Sequence, residues 1–212
     1  MENVFPNFNL IDHPLVKKDI TILRDKKTQS EYFRETVRRI SNILAVEIGK
    51  TLKLRKTNVV TPLERTTGYK LDQKIILIPV LRAGLSMVSG FLDLIPDCKV
   101  GHIGLQRNEQ TLKPEEYYFK IPRVDINSKI ILLDPMLATG GSASQAIKYL
   151  KRKRAKEIVF ACIVAAPEGI NKINSEHNKI EIYSAALDRE LNKKGYILPG
   201  LGDAGDRTFG TL

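Results

Sequence analysis

The stretch Ile130-Ile131-Leu132-Leu133-Asp134-Pro135-Met136-Leu137-Ala138-Thr139-Gly140-Gly141-Ser142-Ala143 holds the residue types best suited to chemistry in this chain. Its apolar run predicts a buried strand, an acid stands at the strand's end, and a loop of small residues then opens a helix. Thr139, Gly140, Gly141 and Ser142 can aim main-chain N–H groups and two hydroxyls at one point. Glycine lets the main chain approach an anion closely, and a helix N-terminus adds a favourable dipole, so the arrangement suits a phosphate. It differs from the G-x-x-x-x-G-K-[ST] loop, whose lysine is missing. A plain strand–turn–helix corner would use the same residues.

Three further segments could work beside it. In residues 79–87 an apolar strand ends, Arg82 stands at the turn, and a helix begins. Residues 101–107 place a second arginine, Arg107, after another strand-like run. Each arginine alone fits a solvated charge equally well. At the carboxyl end of a strand in an open α/β sheet, either could face a ligand. Residues 195–211 are rich in glycine and read as a tight loop with exposed backbone rather than a helix or central strand. His13, His102 and His177 share no metal-ligand spacing and form no nucleophile–base pair visible in sequence.

The elements that must position these segments follow from periodicity. Residues 1–30 read as an arm rather than a core element, with Thr28 and Glu31 spaced as a capping box for the helix that follows. Phe33, Val37, Ile40, Leu44 and Ile48 then recur at helical spacing as one core-facing stripe. Short apolar runs at 75–78, 100–105, 130–133, 158–165 and 180–183 alternate with helix-like stretches at 85–94 and 142–151. Such alternation predicts an α/β domain with a mainly parallel sheet, spanning 1–212 without an internal boundary.

Composition bounds the rest. Of 212 residues 42% are hydrophobic, enough for a core that needs no disulfide or metal. Cys98 and Cys162 stand far apart, which argues for a reducing compartment and against a zinc site. With no signal-like N-terminus and no bilayer-length apolar run, the expected location is cytoplasmic, with no membrane partner. The net charge of +10 suits a polyanion, either nucleic acid, an acidic surface or a phosphate-rich substrate. Lys148, Lys151, Arg152, Lys153, Arg154 and Lys156 gather at an expected helix C-terminus, where cations complement the dipole. An effector-phosphate or nucleic-acid patch is the other reading of that cluster. The absence of Trp weakens a single-strand-binding surface.

Asp134 to Ser142, preceded by its apolar strand, resembles the phosphoribosyl pyrophosphate (PRPP) loop of type I phosphoribosyltransferases. Many members carry two adjacent acids there, whereas the whole run from Asp134 to Ser142 resembles the uracil-specific branch, where proline after the acid is usual. Residues 79–87 resemble the pyrophosphate loop, 101–107 resemble a second arginine loop with Gln106 where tyrosine is common, and 195–211 resemble the uracil-binding loop. Arg24-Asp25-Lys26 and residues 165–169 extend the resemblance over nearly the whole chain.

The resemblance implies a type I phosphoribosyltransferase-like fold with a C-terminal base-binding segment at 187–212. It implies transfer of phosphoribose from PRPP to uracil, giving UMP and pyrophosphate. Arg82, Arg107 and Asp203 would be catalytic. PRPP would be held by Arg82, Arg107, Asp134, Pro135, Met136, Leu137, Ala138, Thr139, Gly140, Gly141, Ser142 and Asp203. Uracil would be held by Ile197, Gly202, Asp203 and Ala204. Mg²⁺ would arrive mainly on PRPP, with no dedicated protein metal site. GTP as an effector and a homo-oligomer are also implied, and nucleic acid is not an expected partner. An RNA-binding, pyrimidine-sensing regulator on the same scaffold is the competing reading, since one fold hosts many functions.

Overall fold

Successive residues of a strand point to opposite faces of its sheet, and in the central strands here both sets are apolar. On β4 (Lys74–Leu81) Ile75 and Leu77 join one core while Ile76, Ile78 and Val80 join another. Ile131 and Leu133 against Ile130 and Leu132 repeat that division in a strand spanning Ser128–Leu133. Both faces must therefore be covered, as in parallel sheets layered by helices.

The computed structural model describes residues 5–107 and 114–211. After β1 (Phe8–Leu10) come α1 (Pro14–Arg24), α2 (Ser30–Gly49), and the strands β2 (Leu54–Val60) and β3 (Arg65–Leu71). Beyond β4 follow α3 (Leu85–Leu94), β5 (Lys99–Val100), β6 (His102–Arg107), β7 (Pro114–Lys120), β8 (Ser128–Leu133) and β9 (Met136–Leu137). The chain continues through α4 (Gly141–Arg152), β10 (Glu157–Ala165), α5 (Pro167–Glu176) and β11 (Glu181–Leu187). It closes with β12 (Glu190–Leu191), β13 (Ile197–Leu198) and α6 (Ala204–Phe209). The main sheet runs β1-β11-β10-β8-β4-β6-β7, parallel at every step except β6–β7. Helices α1, α2 and α3 cover one face, and α4 and α5 cover the other.

Two expectations are corrected. The first thirty residues are not merely an arm. Within them β1 pairs with β11, and α1 buries Val16, Ile20 and Leu23. Those three positions form one helical face, and His13 Nδ1 accepts the Leu15 N–H to cap the helix at 3.2 Å. The capping box also fails. Helix α2 starts one residue later, at Ser30 with Gln29 as its cap residue, and Thr28 Oγ1 instead donates to Ile22 O at 2.6 Å. The stripe Phe33, Val37, Ile40, Leu44 and Ile48 is buried as its spacing requires. The antiparallel β2–β3 hairpin, unannounced by any apolar alternation, stands outside the main sheet with nearly every residue exposed.

Candidate active site

The turn after β4 lies against the end of β8, and one glycine makes this possible. A Cβ on Gly84 would come within 2.8 Å of Val80 N and O and collide with Leu133 O. The close approach sets Arg82 near the strand end that carries Asp134. The Leu81–Arg82 peptide is cis. Arg82 Nη2 donates to Asp206 Oδ1 at 3.1 Å, and the guanidinium lies 5.8 Å from the centre of the Phe209 ring.

Beyond β8, Pro135 O accepts the N–H groups of Ile163 and Val164, both at 3.0 Å, so the chain stays bonded to β10 through the turn. Gly140 then caps α4 with φ +74, in the left-handed region that favours glycine. A Cβ there would also meet Gly169 O at 2.9 Å, so the loop packs directly on the start of α5. Thr139 and Ser142 are left exposed at the mouth of the helix, whose aligned peptides favour an anion. Burial pushes the half-buried Asp134 carboxyl up to about 7. The Met136 N–H opposes that rise from 3.4 Å, and the negative charge of Asp203 adds to it.

The third component is the terminal segment. Gly200 and Gly202 have φ +66 and +81, and a Cβ on Gly200 would strike Ile197 O. Asp203 caps α6, its Oδ1 accepting the Asp206 N–H at 2.9 Å. Two charged anchors hold this loop. Asp188 accepts from both Arg24 Nη atoms and from Gly200 N–H, and Arg24 Nη1 also donates to Gly200 O. Buried Arg207 donates to the carbonyls of Leu23, Leu201 and Asp25, with its guanidinium 4.5 Å from the Phe33 ring centre.

The cradle and the terminal segment, with the end of β6, line an open cavity of about 800 Å³ whose walls include Leu105, Gln106, Ala138, Thr139, Gly141, Ser142, Asn192, Lys193, Lys194, Gly195 and Asp203. Of the residues singled out from sequence, Ala138, Thr139, Gly141, Ser142 and Asp203 meet there. Asp134, Pro135, Met136, Leu137 and Gly140 stand behind them as the turn that shapes the loop. Arg82 faces Asp206 rather than the cavity, and Ile197, Gly202 and Ala204 are not in its lining. Arg107 closes β6, and its side chain lies outside the described residues.

Sequence reasoning missed Asp188, Arg207, Lys193 and Lys194 as site components. The basic cluster lies at the opposite end of α4 from the cradle. There Lys148 pairs with Glu176 at 2.8 Å, Arg152 lies over Tyr149, and Lys153 over Phe119. Cys98 and Cys162 are free thiols that burial pushes up to about 12, which makes both poor nucleophiles. Among the described residues no three His, Cys, Asp or Glu side chains gather as a metal cage, and no helix is long and apolar enough to cross a membrane.

A family model described as uracil phosphoribosyltransferase matches residues 10–211. The uracil phosphoribosyltransferase of Malacoplasma penetrans is 52% identical over 202 residues, covering 95% of this chain and 98% of that protein. Among solved structures, the AQ2163 protein from Aquifex aeolicus is similar with a TM-score of 0.90 at 35% identity, covering 95% of this chain and 97% of the other. A hypoxanthine-guanine phosphoribosyltransferase from Bacillus anthracis has a TM-score of 0.50 at 15% identity, covering 75% and 80%, and shares the fold alone. The match to the family model takes in the cradle, the arginine turn and the glycine-rich terminal loop together, and this chain belongs to the uracil phosphoribosyltransferase family.

Proposed function

We propose that this protein transfers the phosphoribosyl group of PRPP to N1 of uracil in pyrimidine salvage, giving UMP and pyrophosphate. The observation that carries the reading is the convergence of the Thr139–Ser142 cradle and Asp203 of the terminal loop on one cavity. The main-chain N–H groups and hydroxyls of the cradle hold the 5-phosphate and so orient the anomeric carbon. The C1–N1 bond forms on one face as the C1–O bond to pyrophosphate breaks on the other, and the proton on N1 is released to water. Negative charge gathers on the leaving oxygens, where Arg82 and Arg107 stabilise it.

Arg82 is held in reserve for that task. Its pair with Asp206 is half exposed, with side chains 57% and 34% accessible. Exposed pairs contribute at most about 1 kcal/mol, so the more highly charged pyrophosphate displaces Asp206. Asp134 faces the ribose hydroxyls. Ile197, Gly202 and Ala204 read the base through main-chain N–H and C=O groups.

Asp134 and Asp203, near enough for the charge of one to raise the carboxyl of the other, offer hard oxygen donors that fit a Mg²⁺ ion carried largely by substrate phosphates. When bound, that ion neutralises pyrophosphate charge. Two unpaired cysteines support work in a reducing cytoplasm. The exposed Val60, Leu63 and Tyr69 of the β2–β3 hairpin support a homo-oligomer, and GTP as an effector rests on family membership alone. The test is incubation of the full chain with PRPP, Mg²⁺ and labelled uracil. UMP and pyrophosphate formed in equal amounts support the reading, and absence of UMP overturns it.

A further inference from the structure

The loop that opens α4 carries no cation of its own, since residues 134–142 contain no lysine or arginine. A 5-phosphate dianion seated there meets hydroxyls and main-chain N–H groups without a neutralising side chain from that loop. Beside that loop in the same cavity stands the turn joining β12 to β13. Its Lys193 and Lys194 line the same cavity as Thr139, Gly141 and Ser142. We propose that this lysine pair supplies, from the neighbouring turn, the counter-charge that binds the 5-phosphate of PRPP and of UMP. The proposal rests on the functional reading above.

The turn is built to hold the lysines in place. Asn192 Oδ1 accepts the N–H groups of Lys194 at 2.9 Å and Tyr196 at 3.0 Å. Asn192 N–H donates to Tyr196 O at 2.8 Å, and Gly195 N–H donates to Asn192 O at 2.9 Å. Gly195 has φ +81, which favours glycine, and a Cβ on it would lie 3.6 Å from the Thr139 methyl. A side chain at Gly195 would thus touch the cradle, so the lysine turn and the cradle are close neighbours. Leu191 N–H donates to Glu168 Oε1 at 2.9 Å, which fixes the hairpin to the first turn of α5.

Among the described residues neither lysine has an acidic partner within 4 Å, whereas Arg82 is paired with Asp206 near the other substrate loop. The two ends of PRPP thus meet different cations. Arg82 serves the pyrophosphate, and the lysine turn serves the 5-phosphate.

The two products separate these ends, because UMP carries only the 5-phosphate. The experiment measures equilibrium binding of UMP and, separately, of pyrophosphate with Mg²⁺, to wild type, K193Q/K194Q and K193R/K194R. Both lysines are exposed, so the fold should persist, and far-UV circular dichroism checks it. The glutamine pair should weaken UMP by about fivefold, the factor from an exposed ion pair at the top of its usual range. Pyrophosphate affinity should not change, and the arginine pair should restore UMP binding. Unchanged UMP affinity in K193Q/K194Q, a parallel loss for pyrophosphate, or failure of arginine to rescue would each overturn the proposal. Wild type that makes UMP yet shows any of these results leaves the functional reading standing, whereas wild type that makes no UMP removes that reading first.

Discussion

Replacing Asp188 with alanine should damage stability and uracil binding together, while sparing the phosphate cradle. Asp188 is 5% exposed and accepts Arg24 Nη1 at 2.9 Å, Arg24 Nη2 at 2.5 Å and Gly200 N–H at 2.8 Å. The substitution deletes all three bonds and leaves a guanidinium and a buried N–H without their acceptor. Removing one member of a buried ion pair costs about 3–5 kcal/mol. The Arg24 side chain is 26% exposed, so water can solvate part of it and the loss should fall near about 3 kcal/mol. Gly200 lies between Ile197 and Gly202, so the loop proposed to read the base loses its anchor. The cradle makes no contact with Asp188 in this network. Uracil KM should therefore rise more than PRPP KM. Urea denaturation gives the first quantity, and initial rates with each substrate varied in turn give the second. A loss below about 1 kcal/mol with uracil KM unchanged would refute the assignment of this ion pair as the anchor of the base loop.

Arg82→Ala should lower kcat by about 10²–10³, as for the loss of one transition-state electrostatic contact. Near-normal rates at saturating PRPP and well below saturation would remove Arg82 from the site. Asp134 gives a pH signature. Its carboxyl titrates near 7 in the folded protein against an ordinary value of 3.8. Between those values the folded state binds the extra proton, so its contribution to stability is present at low pH and is lost as pH rises from about 4 to 7. Denaturation series across that window should show this slope in wild type and lose it in Asp134→Asn; equal slopes would contradict the burial argument. Neutralising Arg152, Lys153 and Arg154 together should leave UMP formation unchanged, since they stand at the far end of α4. A fall in kcat would tie that cluster to the site.

The central strands were legible because β4, β8 and β10 are buried on both faces, which writes them as unbroken apolar runs. Helix α3 matched its expected span, and α4 began one residue earlier and ended one later, because glycine-bearing turns mark their starts. Helix α1 was missed because its apolar face is only three residues, Val16, Ile20 and Leu23, set among charges. Nor could sequence pair Arg24 with Asp188 across 164 positions, or turn Arg207 inward onto three carbonyls. Charged residues read as surface until tertiary structure supplies their partners. The β2–β3 hairpin was silent for the opposite reason, since strands with little buried face carry no alternation. The strand–turn–helix from β8 into α4 was readable from residue types alone, while the lysine turn beside it needed the fold.

The most direct test of the whole site is competition between uracil and cytosine at fixed PRPP and Mg²⁺, following labelled nucleotide. Uracil presents O4 as an acceptor and N3–H as a donor, whereas cytosine presents an amino donor and a bare N3 acceptor. Main-chain groups at Ile197, Gly202 and Ala204 cannot change their polarity to suit both. Sites that hydrogen-bond a substrate reject mismatched analogues by about 10⁴–10⁵, against about 10–200-fold for one added methyl. UMP should therefore form with cytosine excluded by roughly that larger factor, thymine refused more weakly, and 5-fluorouracil accepted. Comparable rates for cytosine and uracil, or no nucleotide from either, would contradict the account.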